Sequence, residues 1–139
     1  MTVVVATGVF ELIHPGHLLF LNEAKKLGNK LVVIVARDSS VGRRKSHSFV
    51  PEAQRLEVVK SLRVVDDAIL GDEMDMFKPI ERLKPDVIAL GFDQDFDENE
   101  IRAELKKRGL KASVVRLNAV HAGRLSGSKK LIESMGKKR

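Results

Sequence analysis

Apolar residues in this chain come in short unbroken runs, set apart by longer segments in which they recur at helical spacing. Val3-Val4-Val5-Ala6 is one run and Leu31-Val32-Val33-Ile34-Val35-Ala36 another. Runs of this length, bounded by turn residues, mark strands buried on both faces. The pattern predicts strands over Thr2–Thr7, Leu31–Ala36, Asp67–Leu70, Asp86–Leu90 and Ala112–Leu117. Between them, Gly16–Leu27 carries Leu18, Leu19, Leu21, Ala24 and Leu27 and stops at Gly28-Asn29, a natural helix end. Pro51-Glu52 opens a second helix, whose Ala53, Leu56, Val59 and Leu62 fall at three-residue steps. Met74–Leu83 reads as a third helix, bent or split at Pro79. Glu98–Arg108, stopped by Gly109, is a fourth, and Ser128–Ser134 a last one. Arg37–Val50 and Ala119–Gly127 read as loops. Strands alternating with helices predict an α/β domain with a doubly wound, five-stranded parallel sheet, one domain over residues 1–139.

Composition narrows what such a domain could do. There is no cysteine among the 139 residues. That excludes disulfides and thiol catalysis and fits a reducing compartment. No apolar run approaches the roughly 20 residues of a membrane span. The start, MTVVVATG, lacks the basic region of a signal peptide, so the expected location is cytoplasmic. The net charge of +6 suits either nucleic acid or a small polyanionic substrate. All six aromatic residues are Phe, with no Tyr or Trp. That is a poor supply of stacking platforms for single-stranded nucleic acid, and no nucleic-acid partner is expected.

In a doubly wound sheet, ligands bind beyond the carboxyl ends of the strands, and the suggestive residues all fall there. After the first strand comes Gly8-Val9-Phe10-Glu11-Leu12-Ile13-His14-Pro15-Gly16-His17. Pro15 at a first helical position lets the loop turn directly into a helix, whose backbone N–H groups would face an anion. Two histidines three apart could also be a surface pair or half a zinc site. Four histidines and no cysteine supply a closed zinc site poorly. After the second strand comes a basic loop with Arg37, Arg43, Arg44 and Lys45. After the fourth come Gly91-Phe92-Asp93-Gln94, where Asp93 could contact a base or ribose or simply cap the next helix. After the fifth, Gly123–Lys129 is one residue short of a Walker A loop and precedes the last helix, not the first, so a P-loop is excluded. Its serines could cap that helix, bind phosphate, or both.

The ten residues from Gly8 to His17 resemble the GTFDxxHxGH signature of the cytidylyltransferase-like nucleotidylyltransferases, with Val9 in place of Thr and Glu11 in place of Asp. VIVARD, LGDEMDMFKPIERLKPDVIALGFDQ and RLSGSKKLI are similar to segments of the archaeal FAD synthases. Arg63-Val64-Val65-Asp66 resembles the family's RxVD element, and Arg124 to Ser128 its RxxxISTT element, with Gly127 in place of a Thr. The resemblance implies a Rossmann-like fold of the HxGH type and transfer of AMP from ATP to FMN, with a divalent ion, Mg²⁺, bridging the phosphates. It implies a homodimer. It assigns His14, His17 and Lys45 to catalysis. It assigns Val9, Phe10, His14, Pro15, Gly16, His17, Arg63, Asp93, His121, Arg124, Ser126 and Ser128 to nucleotide binding, and implies no dedicated metal ligand in the chain. Two alternatives stay open: a cytidylyltransferase acting on glycerol-3-phosphate or another phospho-alcohol, and a nucleotide-binding module without turnover.

Overall fold

The computed structural model describes residues 1–42, 50–92 and 94–118. Five strands form one all-parallel, Rossmann-like sheet: β1 (Val3–Gly8), β2 (Lys30–Val35), β3 (Asp67–Leu70), β4 (Val87–Gly91) and β5 (Ser113–Leu117). The helices are α1 (Pro15–Lys25), α2 (Asp38–Gly42), α3 (Glu52–Lys60), α4 (Lys78–Leu83) and α5 (Glu98–Lys107). The strand order is β3-β2-β1-β4-β5. The chain thus builds outward from β1 to β3, then returns to place β4 on the other side of β1. The strand order reverses between β1 and β4, and there a crevice opens at the carboxyl edge.

Alternate residues of the central strands feed two cores. Val4, Ala6, Val33 and Val35 face one, with Leu21 and Ala24 of α1 and Val59 of α3. Val5, Val32 and Ile34 face the other, with Ile80 of α4 and Ile101 and Leu105 of α5. Burial on both faces is why β1 and β2 read as unbroken apolar runs rather than alternating ones. Each fully buried Val or Leu contributes about 1.5–3 kcal/mol.

Two predicted elements change. The loop after β2 begins with a short helix, α2, whose first residue is tied to α3. The Asp38 N–H donates to Glu52 Oε1 at 2.8 Å, and the Glu52 N–H donates to Asp38 Oδ2 at 3.2 Å. The helix predicted over Met74–Leu83 is only Lys78–Leu83, and Pro79 sits in its first turn rather than bending it. Before it, Asp72 Oδ2 accepts from the N–H groups of Met74 and Asp75, and Asp75 Oδ1 from that of Phe77. These side-chain bonds hold 72–77 in turns and compete with helix. The last predicted helix, Ser128–Ser134, lies outside the described residues.

The amino edge of the sheet is sealed by side chains. The Thr2 N–H donates to Asn29 Oδ1 at 2.8 Å, Val3 N–H to Asp86 Oδ2 at 2.8 Å, and Leu31 N–H to Asp66 Oδ2 at 2.7 Å. Lys25 pairs with Asp66 on the same edge.

Candidate active site

The loop from β1 into α1 is shaped by a glycine and a left-handed residue. A Cβ on Gly8 would lie 2.7 Å from the Phe10 ring, so only glycine leaves that ring its place. Phe10 has φ +54°, rare for a bulky side chain, and is 3% exposed. Its ring packs at 5.3 Å from that of His17. Glu11 is buried in the same loop.

The two histidines cap α1 themselves. His14 is the N-cap, and its Nδ1 accepts from the Gly16 N–H at 3.1 Å. His17 Nδ1 accepts from the His14 N–H at 3.3 Å, closing a reciprocal capping box. The rings stack with centroids 3.7 Å apart. With Nδ1 accepting in both, the proton of each neutral ring sits on Nε2. This corrects one expectation. Pro15 has no N–H, the Gly16 N–H is taken by His14, and the His17 N–H donates to the His14 carbonyl at 2.9 Å. The first-turn backbone donors are therefore committed. Burial pushes the His17 pKa down to about 4; the neighbouring His14 ring adds to this, and a hydrogen bond with the Leu12 backbone opposes it. His17 is thus a neutral donor at pH 7.

Arg55, in the Pro51–Arg55 opening of α3, has a structural role. It is 1% exposed. Its guanidinium donates to the carbonyls of Val50 at 2.9 Å, Val9 at 2.8 Å and Ala36 at 2.8 Å, and pairs with Asp38 at 2.7 Å. One side chain thus fixes the histidine loop, the end of β2 and residue 50, which follows the basic loop. Arg55 holds the Asp38 carboxyl below the usual carboxylate range. Arg37 extends the network, donating to the Gly71 carbonyl at 2.7 Å and pairing with Glu52 at 3.1 Å. On the other side of β1, Arg116 donates to the carbonyls of Gly91, Gln94 and Phe96 and pairs with Glu98. Gln94 Nε2 donates to the Thr7 carbonyl at 2.9 Å, joining the ends of β4 and β1. Fixed carbonyl positions of this kind carry no local sequence signature.

The structure therefore brings Val9, Phe10, His14, Pro15, Gly16 and His17 together at the carboxyl edge. Val9 contributes a carbonyl to the Arg55 network, and Phe10 a buried ring beneath His17. Arg63 stands beside Leu18 and Asn22 of α1, the helix that the histidines cap. It is exposed on the turn between α3 and β3. That turn meets the amino end of β2, where the Asp66 N–H donates to the Leu31 carbonyl. Lys45, Asp93, His121, Arg124, Ser126 and Ser128 lie outside the described residues.

A doubly wound sheet carrying two stacked, helix-capping histidines at its switch point defines a nucleotidylyltransferase-type domain. Residues 5–132 match the family model for cytidylyltransferase-like proteins, and the chain belongs to that family. It is 60% identical over 133 residues to a protein of Ferroglobus placidus named FAD synthase, covering 96% of this chain and 87% of that one. It is 56% identical over 128 residues to one of the same name from Archaeoglobus fulgidus, covering 92% and 93%. Among solved structures it resembles one described as a lipopolysaccharide core biosynthesis protein from Thermoplasma volcanium, with TM-score 0.85 and 45% identity over 87% of this chain and 99% of that one. It shares its fold with a pantoate-beta-alanine ligase of Francisella tularensis, with TM-score 0.63 and 13% identity over 88% and 61%.

Proposed function

We propose that the chain is an FAD synthase, transferring AMP from ATP to FMN. The observation that carries the reading is the capped histidine pair, stacked at the carboxyl edge with the His17 ring neutral at pH 7, in a chain 60% identical to a protein named FAD synthase. An FMN phosphate oxygen attacks the α-phosphorus of ATP and forms the new P–O bond. The bond from that phosphorus to the bridging oxygen breaks, and pyrophosphate leaves with the electron pair. No covalent enzyme intermediate is required. Catalysis rests on positioning and on donors aimed at developing charge.

In this reading His14 and His17 donate to the α-phosphate and the bridging oxygen, and Val9, Phe10, Pro15 and Gly16 set their position. Lys45, Arg124, Ser126 and Ser128 hold the leaving pyrophosphate, and Asp93 and His121 border the base and ribose; the family signature motifs support these roles. Arg63, which lines a pocket with Leu18 and Asn22 of α1, takes a phosphate-contacting role in the same reading, supported by its RxVD element. Among the described residues no three His, Asp or Glu side chains converge to hold a metal. Mg²⁺ suits such a site because it would bind largely through substrate phosphates and would supply charge neutralisation there. No helix among the described residues is long and apolar enough to cross a membrane. A homodimer in the cytoplasm completes the proposal.

The test is a substrate panel: pyrophosphate release and product identity with ATP or CTP, each against FMN and glycerol-3-phosphate. FAD formed from ATP and FMN alone is the expected result. Turnover with CTP and glycerol-3-phosphate, and none with ATP and FMN, would hand the activity to the cytidylyl reading.

A further inference from the structure

Five phenylalanines lie among the described residues, and four are packed inward. Phe10 is 3% exposed. Phe20 packs on one core, and Phe77 and Phe96 on the other. Phe92 is 51% exposed. It directly follows Gly91, the last residue of β4, and so stands on the carboxyl edge beside the switch point.

A single exposed apolar side chain is ordinary. What distinguishes this one is the stiffness of its seat. The Gly91 N–H donates to Gln94 Oε1 at 2.7 Å, and the Gly91 carbonyl accepts from Arg116 at 2.7 Å. The Gln94 carbonyl accepts from Arg116 at 3.0 Å, and the Phe96 carbonyl accepts from the same guanidinium. Gln94 Nε2 reaches across to the Thr7 carbonyl on β1. Polar bonds hold Gly91 before Phe92 and Gln94 after it, so burial of the Phe92 ring is not what holds its seat. A ring presented from a fixed backbone costs a ligand little ordering when it stacks.

We propose that Phe92 is a stacking face for the planar heteroaromatic ring of one substrate, either the adenine of ATP or the isoalloxazine of FMN. The inference rests on the adenylyl-transfer reading above. Loss of a base-stacking aromatic weakens binding by about 5- to 150-fold. Phe92→Leu, which keeps apolar bulk but removes the ring, raises KM for that one substrate by about tenfold or more with a much smaller change in kcat. Phe92→Tyr restores it.

The absence of Trp and Tyr from the chain makes a direct readout available. Phe92→Trp places a sole indole at the site, and Val58→Trp, on the exposed face of α3, serves as control. Indole quenches flavin emission by contact, so bound FMN excited in its visible band dims in Phe92→Trp and not in Val58→Trp if the isoalloxazine is the partner. If adenine is the partner, ATP changes the indole emission of Phe92→Trp alone. Either result, with the matching KM change, supports the stacking face and identifies its source. A Phe92→Trp protein that responds to neither ligand differently from the control overturns it. A wild-type protein that makes no FAD sinks the adenylyl-transfer reading instead, and the two emission titrations still decide on Phe92.

Discussion

At the amino edge of the sheet, the N–H groups of Thr2, Val3 and Leu31 are taken by Asn29, Asp86 and Asp66. At the carboxyl edge, the carbonyls of Val9, Ala36, Gly71 and Gly91 are taken by Arg55, Arg37 and Arg116. A parallel sheet leaves loose donors at one end and loose acceptors at the other, and buried ones must be paired. Acceptor side chains, two of the three carboxylates, therefore close the first edge, and guanidiniums close the second. The difference teaches that the hydrogen-bonding needs of the sheet select the side chains at each edge. The guanidiniums that finish the backbone at the carboxyl edge are each paired with a carboxylate, Asp38, Glu52 or Glu98, so their work there is to fix the loops at that edge, the histidine loop among them. At the amino edge the same backbone need is met by acceptor side chains, with Lys25 paired to one of them.

The contrast can be broken most severely at Arg55. Arg55→Ala strands three carbonyls and Asp38 around a buried void and is expected to cost about 3–5 kcal/mol of stability. Arg116→Ala, whose side chain is 20% exposed, is expected to cost about 1–3 kcal/mol. Urea unfolding measures both, and a smaller loss at Arg55 than at Arg116 would contradict the ranking.

Next in size is His17. His17→Ala should lower kcat by about 10²–10³ while leaving the protein folded; near-wild-type turnover would remove His17 from the mechanism. In the free protein its imidazole should titrate by NMR near about 4, not the usual 6.5. The sign follows from linkage. Below 6.5 the unfolded chain takes up a proton that the folded chain refuses until about 4. Stability from this group is complete above 6.5 and falls away as the pH drops toward about 4, a slope that His17→Gln should flatten.

The smallest effects belong to the amino edge. Asp86→Ala and Asp66→Ala should each cost about 0.5–1.5 kcal/mol and leave kcat alone, because they cap strands far from the chemistry. The hydrogen bond from Lys25, and then that from Leu31, hold the Asp66 carboxyl below its ordinary range. Its contribution is present above that range and is lost as the pH falls through the lowered value. A fall in kcat in either variant would mean that the two edges are coupled.

Much of this was legible in the chain. The strands were, because burial on both faces leaves unbroken apolar runs, and their limits moved by about a residue. So was the histidine loop, since Pro15, Gly16 and the His spacing are local. Helix α2 was not, because five residues have no period to read and the Asp38–Glu52 exchange that holds it is tertiary. The third helix was overextended because Asp72 and Asp75 act on backbone groups that periodicity does not see. The partners of Arg55 and Arg116 were not legible, since their acceptors are carbonyls brought together only by the folded sheet. Arg63 is placed with the phosphates by its motif, and it stands on the turn between α3 and β3, beside Leu18 and Asn22 of α1.

The position of β1 sets an order on synthesis. It is made before the strands on either side of it, and its second neighbour, β4, begins about 80 residues after it ends. At about 5–20 residues per second that is roughly 4–16 s of translation. Through that interval one side of Val4-Val5-Ala6, fully buried in the finished sheet, is an open strand edge. The central strand thus waits longest for its second neighbour, and every nascent chain that stops short of β4 carries an adhesive edge where the finished protein carries its switch point.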